Sequence, residues 1–477
     1  MSTLRTPARI LLAGLAGLLA ACAPNDLVDP DSGSDAAVSA LLVDGPRHIL
    51  VLAEDVPSDD LRAEIHARGG VIERRFDTFG VLTVRGLDSR DVDALVRMGE
   101  VADGGEDITA KWVPSLDEVA AQTIELPSTL DDQSGAFFYA LGMQWNMDVV
   151  GVPQAWQQTV QGDGTVVAIL DTGIDPFHID MQGKVVSHSA SLLTAGSSPC
   201  GPDDENTIFD LNFHGTFVAG LVSTNGLGMA SVAPNAQIMG VKVLNCSGSG
   251  SFADIIAGMA HAVDNGADVI NMSLGAYFSR SAPGARAAIR ALDRAILYAV
   301  SRGALVVASS GNDGLDLDSD GDFVHVPSQL RYVLSIGATA PVAQQDFDML
   351  ASYSNYGWSG VDMVAPGGDL TAQGICGFAP IYRCDLVLST LSSFLAPGPN
   401  YYVLSAGTSF ASPMVAGAAA VATAEVEQGA FGEDVEACLL LGSEEIGDFR
   451  IFGSGRLSMP GMLACGMYGY PYANGGT

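Results

Sequence analysis

Short apolar runs and amphipathic stretches alternate along most of this chain. Near its start, "HILVLA" (residues 48–53) reads as a strand and "SDDLRAEIHARGG" (58–70) as a helix capped by Ser58 and stopped by glycines. "VIERRF" (71–76) and "FGVLTVRG" (79–86) follow as strands, and "DSRDVDALVRMGEVADG" (88–104) as a second helix. This β-α-β-β-α pattern predicts a small α+β domain over residues 46–113, then a polar, Pro-containing link over 114–136. A larger domain, 137–465, begins near "GMQWNMDVVGVPQAW", and 466–477 is a tail. Within it "TVVAIL", "QIMGVKVL", "ADVINMSLG", "ALVVASSG" and "YVLSIGA" are short apolar runs, as in strands buried on both faces. Helical stretches separate them: "FVAGLVST", "FADIIAGMAHAVDNG" and "PGARAAIRALDRAILYAVSRG". Such alternation predicts an α/β fold, a parallel β-sheet flanked by helices on both faces.

The first 22 residues break this pattern. Arg5 and Arg9 precede "ILLAGLAGLLAA", an apolar run short for a membrane span, ending at Leu19-Ala20-Ala21-Cys22. It resembles the lipobox of bacterial lipoproteins, whose cysteine is lipidated; the competing reading is an ordinary secretory peptide. Ala23 after the cysteine implies sorting to an outer membrane where the source has one. Residues 23–45, with "PNDLVDPDSGSD", read as a flexible tether. Export, as a membrane-anchored lipoprotein or as a secreted protein, is the expected location.

Composition narrows the classes. With 22 Lys+Arg against 55 Asp+Glu, the net charge of −33 argues against nucleic acid as a partner. Apart from Cys22 there are six cysteines, Cys200, Cys246, Cys376, Cys384, Cys438 and Cys465, read as disulfides in an exported chain. Six cysteines allow about fifteen connectivities, so the pairing stays open. Cys376–Cys384 would close the shortest loop and Cys438–Cys465 would tie down the C-terminal end.

Three segments sit where strands end or helices begin, the rim at which α/β sheets gather their active groups. In "VVAILDTGID" a strand runs into Asp171; in "NFHGTFVAGLV" His214 opens a helix; in "SAGTSFASPMVAGAAA" (405–420) Ser409 opens another. Each residue alone is an ordinary turn or cap residue. Together they offer a carboxylate, a base and a nucleophile. Pro413, lacking an amide, is expected within the first turn of its helix, where amides have no partner.

"DTGID", "HGTFVAG" and "GTSFASPMVAG", in that order, resemble the signature blocks of the subtilisin-like serine peptidases over about residues 140–460. The resemblance implies a serine endopeptidase acting on protein or peptide substrates, with Asp171 orienting, His214 as general base and Ser409 as nucleophile. The order Asp, His, Ser and the lack of GxSxG set it apart from the α/β-hydrolases. It further implies Asn312, in "VVASSGNDG", as the oxyanion donor with the Ser409 amide, and Ser273, Leu274 and Gly275, in "INMSLG", as a substrate-binding edge. Phe213 and Phe217 stand where the family usually has glycine and histidine; there a change in packing and pocket shape is expected. His178 is a spare candidate base without a helix-opening glycine after it.

The domain at 46–113 resembles the family's inhibitory propeptide by position and pattern, so autocleavage is expected within 114–140. "DLDSDGD" places Asp316, Asp318, Asp320 and Asp322 around Gly321, either a structural Ca²⁺ site or a solvated acidic loop; Pro327 stands where an EF-hand needs glutamate. No cofactor is expected for catalysis. The alternatives to an enzyme are a catalytically silent, peptide-binding surface module of the same fold and a calcium-dependent structural protein.

Overall fold

Alternation along one strand joins the two domains. In Arg47–Leu52 (β1) successive side chains face opposite ways, and both faces are covered. Leu50 and Leu52, with Leu82 and Val84, lie under the helices Asp59–Ala67 (α1) and Ser89–Arg97 (α2), against Leu61, Ile65, Val92 and Leu95. Ile49 and Val51, with Val81, face the large domain and share a core with Leu292 and Ala295. The small sheet is antiparallel, in the order Val71–Phe76 (β2), Val81–Arg85 (β3), β1, Val101–Glu106 (β4). The computed structural model describes residues 45–468 except 120, 128–134, 160, 283, 320, 343–344, 371–384 and 428–433. Cys22, the tether, Cys376 and Cys384 lie outside the described residues.

Two elements differ from the sequence reading. The helix expected over 88–104 is capped by Asp88 in a capping box with Asp91, but ends at Arg97. Gly99, at φ +87°, turns the chain, and Val101–Glu106 pairs with β1 as a fourth strand. The stretch expected as a plain link contains a strand of its own. Thr109–Lys111 (β5) and Gln122–Glu125 (β6) both pair with the large domain.

The large domain centres on an eight-stranded sheet. Its strands are Val166–Asp171 (β7), Ala190–Ser191 (β8), Gln237–Lys242 (β9), Val269–Met272 (β11), Leu305–Ser309 (β13), Val333–Val342 (β15), Asp346–Leu350 (β16) and Met363–Pro366 (β17). Pairing is parallel throughout except β15 with β16, which is antiparallel, so the sheet is mixed but mostly parallel. Along β7, Val167 and Ile169 face a core shared with Val218 of His214–Val222 (α3) and Val415 of Thr408–Glu427 (α6). Ala168 and Leu170 face the opposite core, with Ile256 of Phe252–Asp264 (α4) and Leu292 of Ala285–Ser301 (α5). Outside this sheet, Ser249–Ser251 (β10) pairs with β5, Ala276–Ser279 (β12) with Phe323–Val326 (β14), and Val387–Thr390 (β18) with Tyr401–Ser405 (β19), on whose free edge β6 lies.

Pro413 is the sixth residue of α6, not part of its first turn. Its missing amide leaves the Ser409 carbonyl without the usual helical donor, and the Ser273 hydroxyl donates to that carbonyl at 2.7 Å. Disulfides join Cys200 to Cys246 and Cys438 to Cys465. Beside the first, Lys242 is wholly buried at the end of β9; its Nζ pairs with Asp204 at 2.7 Å and donates to the carbonyls of Thr172 and Phe209, also at 2.7 Å.

Removing one member of a buried ion pair strands the other in the interior. Lys242→Met is expected to lower unfolding stability by about 3–5 kcal/mol by denaturant titration.

Candidate active site

Asp171 ends β7 with its carboxylate sealed from solvent, and His214 starts α3 at 1% exposure. His214 Nδ1 lies 2.9 and 3.0 Å from the two Asp171 oxygens. A carboxylate accepts only, so Nδ1 carries the proton and the lone pair is left on Nε2. That Nε2 is buried and has no hydrogen-bond partner among the described residues.

A second carboxylate builds this geometry. Asp210, fully buried, accepts from the amides of Asn212 (2.9 Å), Phe213 (2.9 Å) and Thr216 (2.9 Å), the open amides where α3 begins. It also accepts from the Thr172 hydroxyl at 2.9 Å, and that same hydroxyl accepts from Gly215 N at 3.0 Å. Asp210 thus joins the start of α3 to the residue after Asp171. The sequence reading passed over it; its place four residues before His214, ahead of a helix, was the available signal.

Ser409 is the second residue of α6 and 6% exposed. Its Oγ donates to the Ser273 carbonyl at 3.2 Å, so no hydrogen bond joins it to His214 here. The two helices still meet closely. Phe410, next to Ser409, has its ring centroid 5.8 Å from that of His214 and stacks on Phe217 at 3.9 Å. Asn312 is exposed, and its Oδ1 accepts from both the amide and the hydroxyl of Thr408 at 2.8 Å. Since the Thr408 amide can only donate, the oxygen must face it, and the Asn312 NH₂ points the other way. Asn355, buried, grips the same loop by donating to the Ser310 carbonyl (2.8 Å) and accepting from Asp313 N (3.2 Å) and Leu315 N (2.9 Å).

The expected substrate edge is occupied by the chain itself. β5 pairs antiparallel with β10, the Trp112 and Val113 amides donate to the Gly248 carbonyl, and Gly275 N donates to the Trp112 carbonyl at 3.3 Å. The Trp112 ring lies against Phe252 and Phe278. Beyond Val113 the chain passes a cavity of about 450 Å³ lined by Ser115, Leu116, Asp117, Asn212 and Leu395, among others. Of the three edge residues, Gly275 contacts this segment, Ser273 holds α6, and Leu274 is buried in the core.

Residues 162–455 match the family model described as the Subtilase family. The chain belongs to the subtilase family. It is 34% identical to the Thermophilic serine proteinase of Bacillus sp. (strain AK1) over 287 residues, 59% of this chain and 58% of that one. It is 35% identical to Subtilisin Savinase of Lederbergia lenta over 284 residues, 59% of this chain and 84% of that one. The match spans 58% and 63% of the first two curated relatives, so it leaves over a third of each uncovered. Among solved structures, the Epidermin Leader Peptide Processing Serine Protease of Staphylococcus aureus shares the fold, with TM-score 0.71 and 20% identity over 88% of this chain and 98% of that one.

Against the subtilase pattern, Phe213 has φ +106°, a backbone region that favours glycine. Its buried ring packs edge-on to His214 and Phe217. His178 is placed elsewhere as a satisfied core histidine: Nε2 is 2.9 Å from the Tyr401 carbonyl, Nδ1 accepts from Asp180 N at 3.2 Å, and burial pushes its pKa down. The described aspartates of the acidic loop bond to the protein's own groups. Asp316 pairs with Arg450, Asp318 accepts from Trp358 N (2.7 Å) and Ser359 N (2.9 Å), and Asp322 accepts from the Ser281 hydroxyl at 2.6 Å. Asp320 is outside the described residues, among which no three His, Cys, Asp or Glu side chains are grouped to hold a metal ion.

Asp210→Ala would leave three amides and a hydroxyl without their acceptor. Denaturant unfolding is expected to show a loss of about 3 kcal/mol or more.

Proposed function

We propose that this subtilase is an exported serine endopeptidase, made as a precursor whose residues 46–113 block its own cleft. The observation that carries the reading is the His214 imidazole, fixed by Asp171 with a bare, buried Nε2. Rotation about the Ser409 Cα–Cβ bond releases Oγ from the Ser273 carbonyl and offers its proton to that Nε2. The oxygen attacks the scissile carbonyl as the proton moves to His214, and Asp171 stabilises the imidazolium. The oxyanion is received by the Asn312 NH₂ and the Ser409 amide, which lies in the first turn of α6 and so lacks an intrahelical partner. His214 returns the proton to the departing amine, leaving an acyl-enzyme. Water, deprotonated by the same imidazole, hydrolyses it. Family members need no catalytic cofactor, and the proposal uses none.

The leader's role is supported by β5 and Trp112 lying between β10 and Gly275, where an extended substrate would pair. Cleavage after this segment would part the peptidase from a lipid anchor at Cys22. Mass spectrometry of wild type and Ser409→Ala reads the anchor, the cut and its dependence on Ser409 together.

A serine-directed fluorophosphonate is expected to label the processed wild type and not Ser409→Ala, whose kcat falls about 10⁶-fold. An unlabelled wild type freed of its leader would favour the silent peptide-binding module. Asn312→Ala is expected to lower kcat about 10²–10³-fold with little change in KM, a range known from a family member. Steady-state kinetics on a peptide anilide checks it.

A further inference from the structure

His325 is a buried imidazole that the proposed reaction does not use. It lies on β14, 2% exposed, with Nδ1 2.7 Å from the Ser328 hydroxyl. Its free edge fills the space behind two glycines. A Cβ added to Gly275 would sit 2.3 Å from His325 Cε1 and 2.5 Å from Nε2; one added to Gly311 would sit 2.8 Å from Nε2. Those glycines have defined places. Gly275 donates to the leader's Trp112 carbonyl, and Gly311 precedes Asn312.

A strand lying along Gly275 and presenting its scissile carbonyl to Asn312 directs the side chain beside the cut bond between these two turns. The imidazole is already there. It has little freedom to leave, because Tyr277 packs edge-on at 4.9 Å and the Tyr277 hydroxyl is held by Asn355 at 2.7 Å. With the ring filling the space behind both glycines, little depth is left for a side chain entering between them.

We infer that His325 is a specificity-determining residue, closing the primary side-chain pocket so that Gly, Ala or Ser is required on the acyl side of the cleaved bond. This rests on the serine endopeptidase reading above. Two further observations agree with it. The chain's own occupant of the cleft continues from Trp112 as Val113-Pro114-Ser115, so that a hydroxymethyl side chain, that of Ser115, directly precedes Leu116. Burial also pushes the His325 pKa down to about 4, so at neutral pH the ring is uncharged and offers no cation to an acidic side chain.

The test uses the enzyme expressed as its full chain and then processed, with peptide anilides differing only in the residue before the anilide: Ala, Ser, Leu or Phe. The wild type is expected to give kcat/KM at least about tenfold higher for Ala and Ser than for Leu and Phe. His325→Gly and His325→Ala are expected to admit Leu and Phe, narrowing or reversing that ratio while fluorophosphonate labelling persists. Peptide boronates with Ala or Phe side chains, titrated against wild type, give a second readout that needs no variant to fold. Wild-type preference for Leu or Phe, in either assay, overturns the inference. So does an unchanged preference in a labelled His325 variant. Failure of the endopeptidase reading looks different: no anilide is cleaved and no serine is labelled.

Discussion

The Asp171 carboxylate, buried at the end of a strand, constrains everything around it. An ionised carboxylate out of water is tolerable only when its lone pairs are satisfied. Here the donors are the Thr172 amide at 2.7 Å and His214 Nδ1. Meeting that demand fixes the imidazole's tautomer and orientation, and so where its basic nitrogen is. It also requires α3 to start at one place relative to β7. Asp210 secures this by binding the first amides of α3 and the Thr172 hydroxyl together. The surroundings of one buried carboxylate are thus fixed by a second, and the Lys242–Asp204 pair ties the neighbouring loop to the same strand ends.

The serine side is assembled from backbone deficits. Pro413 withdraws a helical amide, and the Ser409 carbonyl so released is taken by Ser273. Ser273 returns its own carbonyl to the Ser409 hydroxyl, holding the proposed nucleophile in a parked position. The Thr408 amide, open because it begins a helix, orients Asn312. β5 and Trp112 lie alongside, between β10 and Gly275, and these features are what the proposed precursor would need: reactive groups close together but not yet joined.

The aromatic departures fit the same arrangement. Phe217 stacks on Phe410, so the helix carrying the imidazole and the helix carrying the hydroxyl are packed through a ring pair. Phe213 occupies a backbone conformation that disfavours side chains, and its ring is buried against His214. Strain in the backbone is offset by apolar area removed from water.

Much of the fold was legible locally. Apolar runs covered on both faces, separated by helical stretches, specify a mostly parallel sheet between helix layers, because each period encodes how a segment buries its own side chains. Asp171, His214 and Ser409 stood out in the sequence as candidates because each stands at a junction with its own local signature. Other features have no local signature. Val101–Glu106 became a strand because β1 offers an edge to pair with, and nothing within 88–104 reveals that edge. Thr408 and Asn355 matter through what they meet across space, as does the bond from Asp210 to Thr172. Asp316, Asp318 and Asp322 alternate in the sequence as the carboxylates of a cation site do, yet they turn to Arg450, Ser359 and Ser281, groups distant in sequence. Periodicity and junction residues are properties of a segment and can be read one segment at a time. Which donor faces which acceptor, and which ring fills which hollow, is decided only when segments pack, because hydrogen bonds and steric contacts act over a few ångströms regardless of separation along the chain.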